Sequence, residues 1–500
     1  MPSCSYCLKK QVPCPGYKSQ FDVAWRDQNL VAEKSVRRRK NAIEKADCER
    51  ATREQSVKSS SLMITGVLSQ DYEGYAVSFF LSSYILLPRD VEVRRSFLDC
   101  LYPVWIQTNS MSPLRPAVAA VASCLLEAWS KLKPDLPLSL SRLQYLKGVT
   151  ALRKSLQSTK DVGDDVLMAV LMLDMYEQLR SFWMSKPNNS PHVSGTAALV
   201  EYRRRLPFAS ETSQRILLGA RNQIVGRALS HTEPVPIHVS TWADMTQDVL
   251  KTAGFRLDNL YIEVANLQAL ALRFNSDTTI QDLSILSILK KATELDQRLL
   301  AWTSTVPDDW APTRCSGPEC ISQSVRDAGL YQDYCDIYQS IFVAHIFNSH
   351  CCSRIKLQLT ILTCLRQLNG SNFDIASVTV SEIIQELADT ICASVPYHLG
   401  DRVTPGRIDD KTAQYPHIAG LSVRGGHHVE AAAYGGWFLA APLSELLSPG
   451  VSLRAGQRQW IVRQMQRLMK IYMILPRQAS QTLESTNCST KKDDVFLESV

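Results

Sequence analysis

The chain has 500 residues, 45% hydrophobic and 21% charged, a balance that excludes disorder over most of its length and supplies apolar mass for about two to four folding units. Its net charge of +6 is concentrated at one end: residues 1–60 hold 13 Lys/Arg against 7 Asp/Glu, leaving 42 of each sign beyond. The N-terminus has no apolar signal core, and the apolar stretches Val77–Leu87 and Ala431–Leu443 are too short to span a bilayer, so a soluble intracellular protein with no membrane partner and reduced cysteines is expected.

Residues 1–17 form a short segment rich in Cys, Pro and Gly. Residues 18–69 are polar and basic, with Arg37, Arg38, Arg39 and Lys40 in a row, and read as a largely disordered linker. Beyond residue 70 the apolar residues recur at helical spacing. Val77, Phe80, Leu81 and Tyr84 form a first stripe, stopped by Pro88. Helices are predicted near 114–131, 140–157, 162–183, 194–205 and 211–230. A longer stripe runs through Leu257, Leu260, Tyr261, Val264, Leu267, Ala271 and Phe274, and another helix is predicted near 283–303. Tyr331, Tyr334, Cys335, Tyr338, Ile341, Phe342 and His345 form a third stripe, and Val380, Ile383, Ile384, Leu387 and Ile391 a fourth. A helix near 429–447 precedes a fifth stripe from Ile461 to Leu475, closed by Pro476. Alternating strands with hairpin turns are almost absent, so residues 70–476 are expected to be an all-α body of one or two packed units. Loops are expected near 304–324 and 396–428, and a mobile tail over 477–500.

Cys4 and Cys7 form a C-x2-C pair, with Cys14 six residues further on. Thiolates spaced this way in a tight turn can grip one Zn2+; on spacing alone, chance cysteines in a loop stay open as the alternative. The surrounding phrase is more specific. Cys14 is followed by Pro15, Gly16 and Tyr17, then by Asp22, Val23, Trp25, Arg26 and Asp27. This run resembles the C-terminal half of the fungal Zn2Cys6 (zinc binuclear cluster) transcription factors, with Cys4, Cys7 and Cys14 on the fourth, fifth and sixth ligand positions. The resemblance implies Zn2+ as cofactor, DNA as partner and a nuclear location. Lys9 and Lys10 are then candidate phosphate contacts, and Arg37–Lys40 candidates for phosphate contact or nuclear import, with a solvated helix face as their alternative.

The family's two-metal site takes six thiolates, and this segment supplies three. The next cysteine is Cys48, and the first histidine is His192. A closed tetrahedral site cannot be completed locally, and the helix that reads bases in this family follows its first cysteine pair. Two explanations are weighed: Met1 is an internal methionine of a longer protein, the favoured one, or the chain is a short product that has lost sequence reading.

The body is similar to the family's helical fungal-specific transcription factor domain. The phrases that carry this are Phe79-Phe80-Leu81-Ser82-Ser83-Tyr84, Ser112-Pro113-Leu114, Ser194-Gly195-Thr196-Ala197-Ala198-Leu199 ahead of Tyr202 and Arg203, and Gly436-Trp437-Phe438-Leu439-Ala440-Ala441-Pro442-Leu443. The resemblance implies regulatory, effector-sensing or dimerising roles, with a homodimer or co-regulators as partners, and no catalysis.

A search for enzyme motifs agrees with that expectation. Gly420, Ser422 and Arg424 miss a nucleophile elbow by having Arg in place of Gly, and His428 and Glu430 lack the cysteines of a deaminase zinc site. The pair His427 and His428 reads as an exposed or hydrogen-bonded loop pair before a metal site. His345 reads as a core or rim residue, and Cys351, Cys352, Cys315 and Cys320 as plain thiols. The tyrosines of 331–338 are expected to pack rather than line a ligand box.

Overall fold

The computed structural model describes residues 72–129, 140–158, 162–184, 191–203, 208–246, 251–276, 285–368, 371–405, 410–418 and 426–472, together with Lys9 and Gln11. The chain divides into two units, Met1–Gln70 and Asp71–Val500. Everything below except Lys9 and Gln11 concerns the second.

This unit is all-α. Helix α1 (Tyr72–Tyr84) leads through two 3-10 turns, Val91–Val93 and Phe97–Cys100, into the short α2 (Leu101–Gln107). Then come α3 (Leu114–Trp129), α4 (Leu140–Ser158), α5 (Asp164–Met184), α6 (His192–Arg203) and α7 (Glu211–His231). After single turns at Ile237–Ser240 and Thr241–Met245, α8 (Ala253–Ser276) and α9 (Ile285–Trp302) follow. The C-terminal part holds α10 (Gln323–Gly329), α11 (Ile341–Leu368), α12 (Ser371–Leu399), α13 (His427–Leu446) and α14 (Gln457–Tyr472).

Helix α3 is buried on every side from Ala117 to Leu125, because its small residues let α1, α4 and α5 all lie against it. In the C-terminal part, α11 and α12 form the long central hairpin. Helices α8 and α9 pack on α11, α13 on both α11 and α12, and α14 on α13. Gly436 sets that last contact: a Cβ there would lie 2.2 Å from Cδ2 of Tyr472. Helix α7 joins the two halves, touching α5, α8 and the 97–100 turn, while α13 reaches back to α1. One apolar core runs through both.

Several charged groups in this core are paired. Arg354 grips Asp296 with two hydrogen bonds of 2.8 and 3.0 Å, Lys356 meets Glu445 at 2.6 Å, and Arg95 meets Asp258 at 2.7 Å.

Several expectations are corrected. The stripe from Tyr331 to His345 is not one helix. Cys335–Ile337 is a strand paired antiparallel with Thr313–Cys315, Tyr331 bridges Tyr334, and α11 starts only at Ile341. Gln332 and Asp333 have φ of +55° and +59°, which reverses the chain and breaks any helix there. The 304–324 loop contains a 3-10 turn at Asp308–Trp310 and one of those strands. The loop expected from 396 begins after Leu399, because α12 carries Pro396 within it and closes at Gly400, φ +56°. His427 and His428 open the first turn of α13 rather than lying in a loop.

Candidate functional site

Cys4, Cys7, Cys14, Lys10, Arg37, Arg38, Arg39 and Lys40 lie outside the described residues, as do Gly420, Ser422 and Arg424. Lys9 is described and exposed. Among the described residues, no group of three or more His, Cys, Asp or Glu side chains is placed to hold a metal ion.

The other singled-out side chains have structural surroundings. His427 is buried, donates from Nε2 to the Tyr397 carbonyl at 3.0 Å, and sits between the rings of Tyr397 (4.3 Å) and Tyr415 (4.7 Å). Burial lowers its pKa to about 3, so it stays neutral. His428 lies edge-on to Tyr415. Cys315 and Cys320 are buried beside each other; burial, then the Cys320 thiol, raises the Cys315 pKa to about 11, which disfavours a reactive thiolate at Cys315. Tyr338 is buried and packs on Phe347 and Tyr397, as expected of a packing residue.

The place where polar and aromatic groups converge is a cavity of about 220 Å3 at the junction of the two halves. Its walls come from the end of α1 and the segment after it (Tyr84 to Pro88), the turns that follow (Val93, Arg95, Ser96, Leu98, Asp99), α7 (Asn222), α11 (Phe342, His345, Ile346) and α13 (Tyr434, Phe438).

The aromatic side is built by helical spacing. Tyr434 and Phe438, four residues apart on α13, stack at 5.2 Å with rings 6° from parallel. Phe342 meets both edge-on, at 5.6 and 5.8 Å, and Tyr84 meets Tyr434 edge-on at 6.2 Å. His345 stacks on Phe438 at 4.1 Å. The two phenols are engaged within the protein: Tyr434 Oη donates to the Tyr84 carbonyl, and Tyr84 Oη accepts from Trp129 Nε1.

The polar side is held by α7 and α8. Asp258 of α8 accepts from Arg95 at 2.7 Å and from Asn222 Nδ2 at 3.0 Å, so the Arg95 charge is already matched. Asp99 enters no ion pair among the described residues. Burial raises its pKa to about 6, opposed by the Ser96 backbone and by Arg94 and Arg215. Gly219 of α7 permits this arrangement: a Cβ there would lie 2.4 Å from the Phe97 backbone nitrogen, so only glycine lets the 97–100 turn close on α7. His345 is half-buried. Burial, with Arg95 and His398 adding repulsion, lowers its pKa to about 3, and its Nδ1, near the Phe438 backbone, makes no well-formed hydrogen bond.

Tyr84, Phe342, His345 and Phe438 all stood on stripes or phrases visible in the sequence. Arg95, Asp99, Asn222 and Asp258 did not, since what unites them is contact between segments up to 163 residues apart.

No family model matches the chain, and no solved structure matches it. Over 357 residues it is 22% identical to the protein named Transcription factor dbaG of Emericella nidulans, an alignment that covers 69% of this chain and 79% of that protein.

Proposed function

We propose that the chain is a nuclear transcription regulator of the fungal zinc-cluster type, with a zinc-dependent DNA-binding segment at its N-terminus and an all-α body that controls activity. The coarser part, a transcription regulator, is supported by the similarity to a fungal transcription factor over more than two thirds of the chain. The finer part rests on the coincidence of that similarity with Cys4, Cys7 and Cys14 at C-x2-C-x6-C spacing in the segment, residues 1–60, that carries the net positive surplus of the sequence. In this reading the three thiols are Zn2+ ligands, Lys9 and Lys10 contact phosphate, and Arg37–Lys40 serve import or phosphate contact. Three thiolates cannot close a two-metal cluster, so base reading depends on further ligands ahead of Cys4. No catalytic role is assigned.

The same thiol count favours a second reading, in which the chain does not read DNA and acts through its helical body on a partner regulator.

Chromatin immunoprecipitation of the tagged chain, expressed in a fungus together with the in-frame genomic sequence upstream of Met1, tests this. Enrichment at discrete promoter fragments is expected, with loss in Cys4→Ser and Cys7→Ser. Nuclear protein without enrichment selects the second reading. A protein outside the nucleus, whose deletion changes no transcript, overturns both.

A further inference from the structure

We infer that the cavity between α1, α7, α11 and α13 is a binding site for a small, flat, uncharged aromatic molecule bearing at least one O–H or N–H donor. The inference rests on the regulator reading for its purpose, as an effector site, but not for its chemistry.

Size comes first. A dry apolar cavity of about 150 Å3 accepts benzene, so 220 Å3 accommodates one or two fused rings with a small substituent. Shape and chemistry come from the walls. Phe342, Tyr434 and Phe438 offer ring surface against which a flat molecule packs, while Leu86, Val93, Leu98 and Ile346 close the remainder.

The polar inventory fixes the ligand's hydrogen bonding. Several donors near the cavity are committed, Tyr434 Oη to the Tyr84 carbonyl and Arg95 and Asn222 Nδ2 to Asp258, while the Ser96 hydroxyl and a ring nitrogen of His345 are not. The Asp99 carboxylate remains as an acceptor without an ionic partner. A bound molecule therefore gains by donating a hydrogen bond. An anion meets the Asp99 carboxylate, and the guanidiniums near it are engaged, Arg94 with the Pro88 carbonyl and Arg215 with Glu211. A cation loses its hydration and meets Arg95, with Arg94 and Arg215 also close to Asp99.

The position of the cavity gives binding a consequence. Its walls belong to segments from residue 84 to residue 438, including the stretch that leads out of the first helix. A molecule held there braces that stretch against α11 and α13, and so couples occupancy to the geometry of the N-terminal half.

The test is calorimetric titration of the full chain with four probes of one size: 2-naphthol, naphthalene, 2-naphthoate and 2-naphthylmethylammonium. The structure predicts saturable one-to-one binding of 2-naphthol, at least about tenfold tighter than the other three. Leu86→Trp, which fills the half-buried rim of the cavity, is expected to abolish binding. Asp99→Ala is expected to keep binding but erase the preference for 2-naphthol over naphthalene, and it decides the matter if the Trp variant does not fold. Absence of saturable 2-naphthol binding overturns the inference. So does equal or tighter binding of the anion or the cation, or a preference that survives Asp99→Ala. These outcomes are independent of zinc and DNA binding: a regulator with no aromatic site, and an aromatic site on a chain that is no regulator, give different results in the two experiments.

Discussion

Arg467 lies buried in the last described helix and makes no ion pair among the described residues. Its guanidinium donates instead to the carbonyls of Gly400 (2.6 Å), Arg402 (2.6 Å) and Ala328 (3.1 Å), binding the end of α12 and the end of α10 to α14. Burial lowers its pKa to about 10, which leaves it charged at neutral pH. Replacing it with Met keeps the apolar stem and strands three carbonyls, so Arg467→Met is expected to cost about 3–5 kcal/mol in chemical denaturation. An unchanged midpoint would mean that water satisfies those carbonyls. Gly219 makes a different kind of demand. Gly219→Ala forces a methyl into the Phe97 backbone, and a loss of about 1–3 kcal/mol is expected, read as a lowered melting temperature. Neither role was legible in the sequence. An Arg on a polar helix face and a Gly inside a helical pattern carry no local mark of what approaches them from 65 or 122 positions away.

Helical elements were the most legible, because an apolar residue every three or four positions is a local signal. Helix α8 buries Leu257, Leu260, Tyr261, Val264 and Leu267, as its stripe requires. The two-stranded ribbon was missed for a specific reason. The tight turn that leads into its second strand, closed by the Tyr331–Tyr334 bridge, needs positive φ at two successive residues, a geometry that usually shows itself as Asn-Gly or Asp-Gly, and here Gln332 and Asp333 occupy it. The tyrosines and Cys335 that flank the turn also happen to fall at helical spacing. The double change Gln332→Asn with Asp333→Gly is therefore expected to stabilise the fold by about 1 kcal/mol, despite losing the hydrogen bond from Tyr334 Oη to Gln332. Denaturant titration measures this, and a lowered midpoint would show that the side-chain contacts outweigh backbone strain. Pro396 misled in the opposite sense: it suggests a break, yet α12 runs on for one more turn after it.

At the scale of the whole molecule, the buried His350, His398 and His427 and the half-buried His345 give the fold an acid limit. Burial is the first cause in each: His345 and His427 are lowered to about 3, and His350 and His398 to about 4. The unfolded chain binds protons at these sites near pH 6.5 while the folded chain does not, so stability falls as pH drops from about 6.5 toward 4. Each histidine contributes up to ~1.4 kcal/mol per pH unit within that window. Asp99 acts in reverse, its raised pKa adding stability that is lost as pH rises from about 4 to 6, and it offsets one histidine at most. Urea midpoints between pH 7 and 4.5 are expected to fall steeply, and a flat profile would show the imidazoles reaching water. The all-α class was legible from periodicity. The cavity was not, because its walls are joined only by folding. The account depends most on the thiols at the front of the chain. Zinc content, measured on the purified protein extended by the in-frame genomic sequence upstream of Met1, tests it most directly: about two zinc ions per chain are predicted, lost on Cys4→Ser, Cys7→Ser and Cys14→Ser together, with DNA binding lost in parallel. Zinc absent from that protein, or unchanged by the triple substitution, would contradict the zinc-cluster assignment.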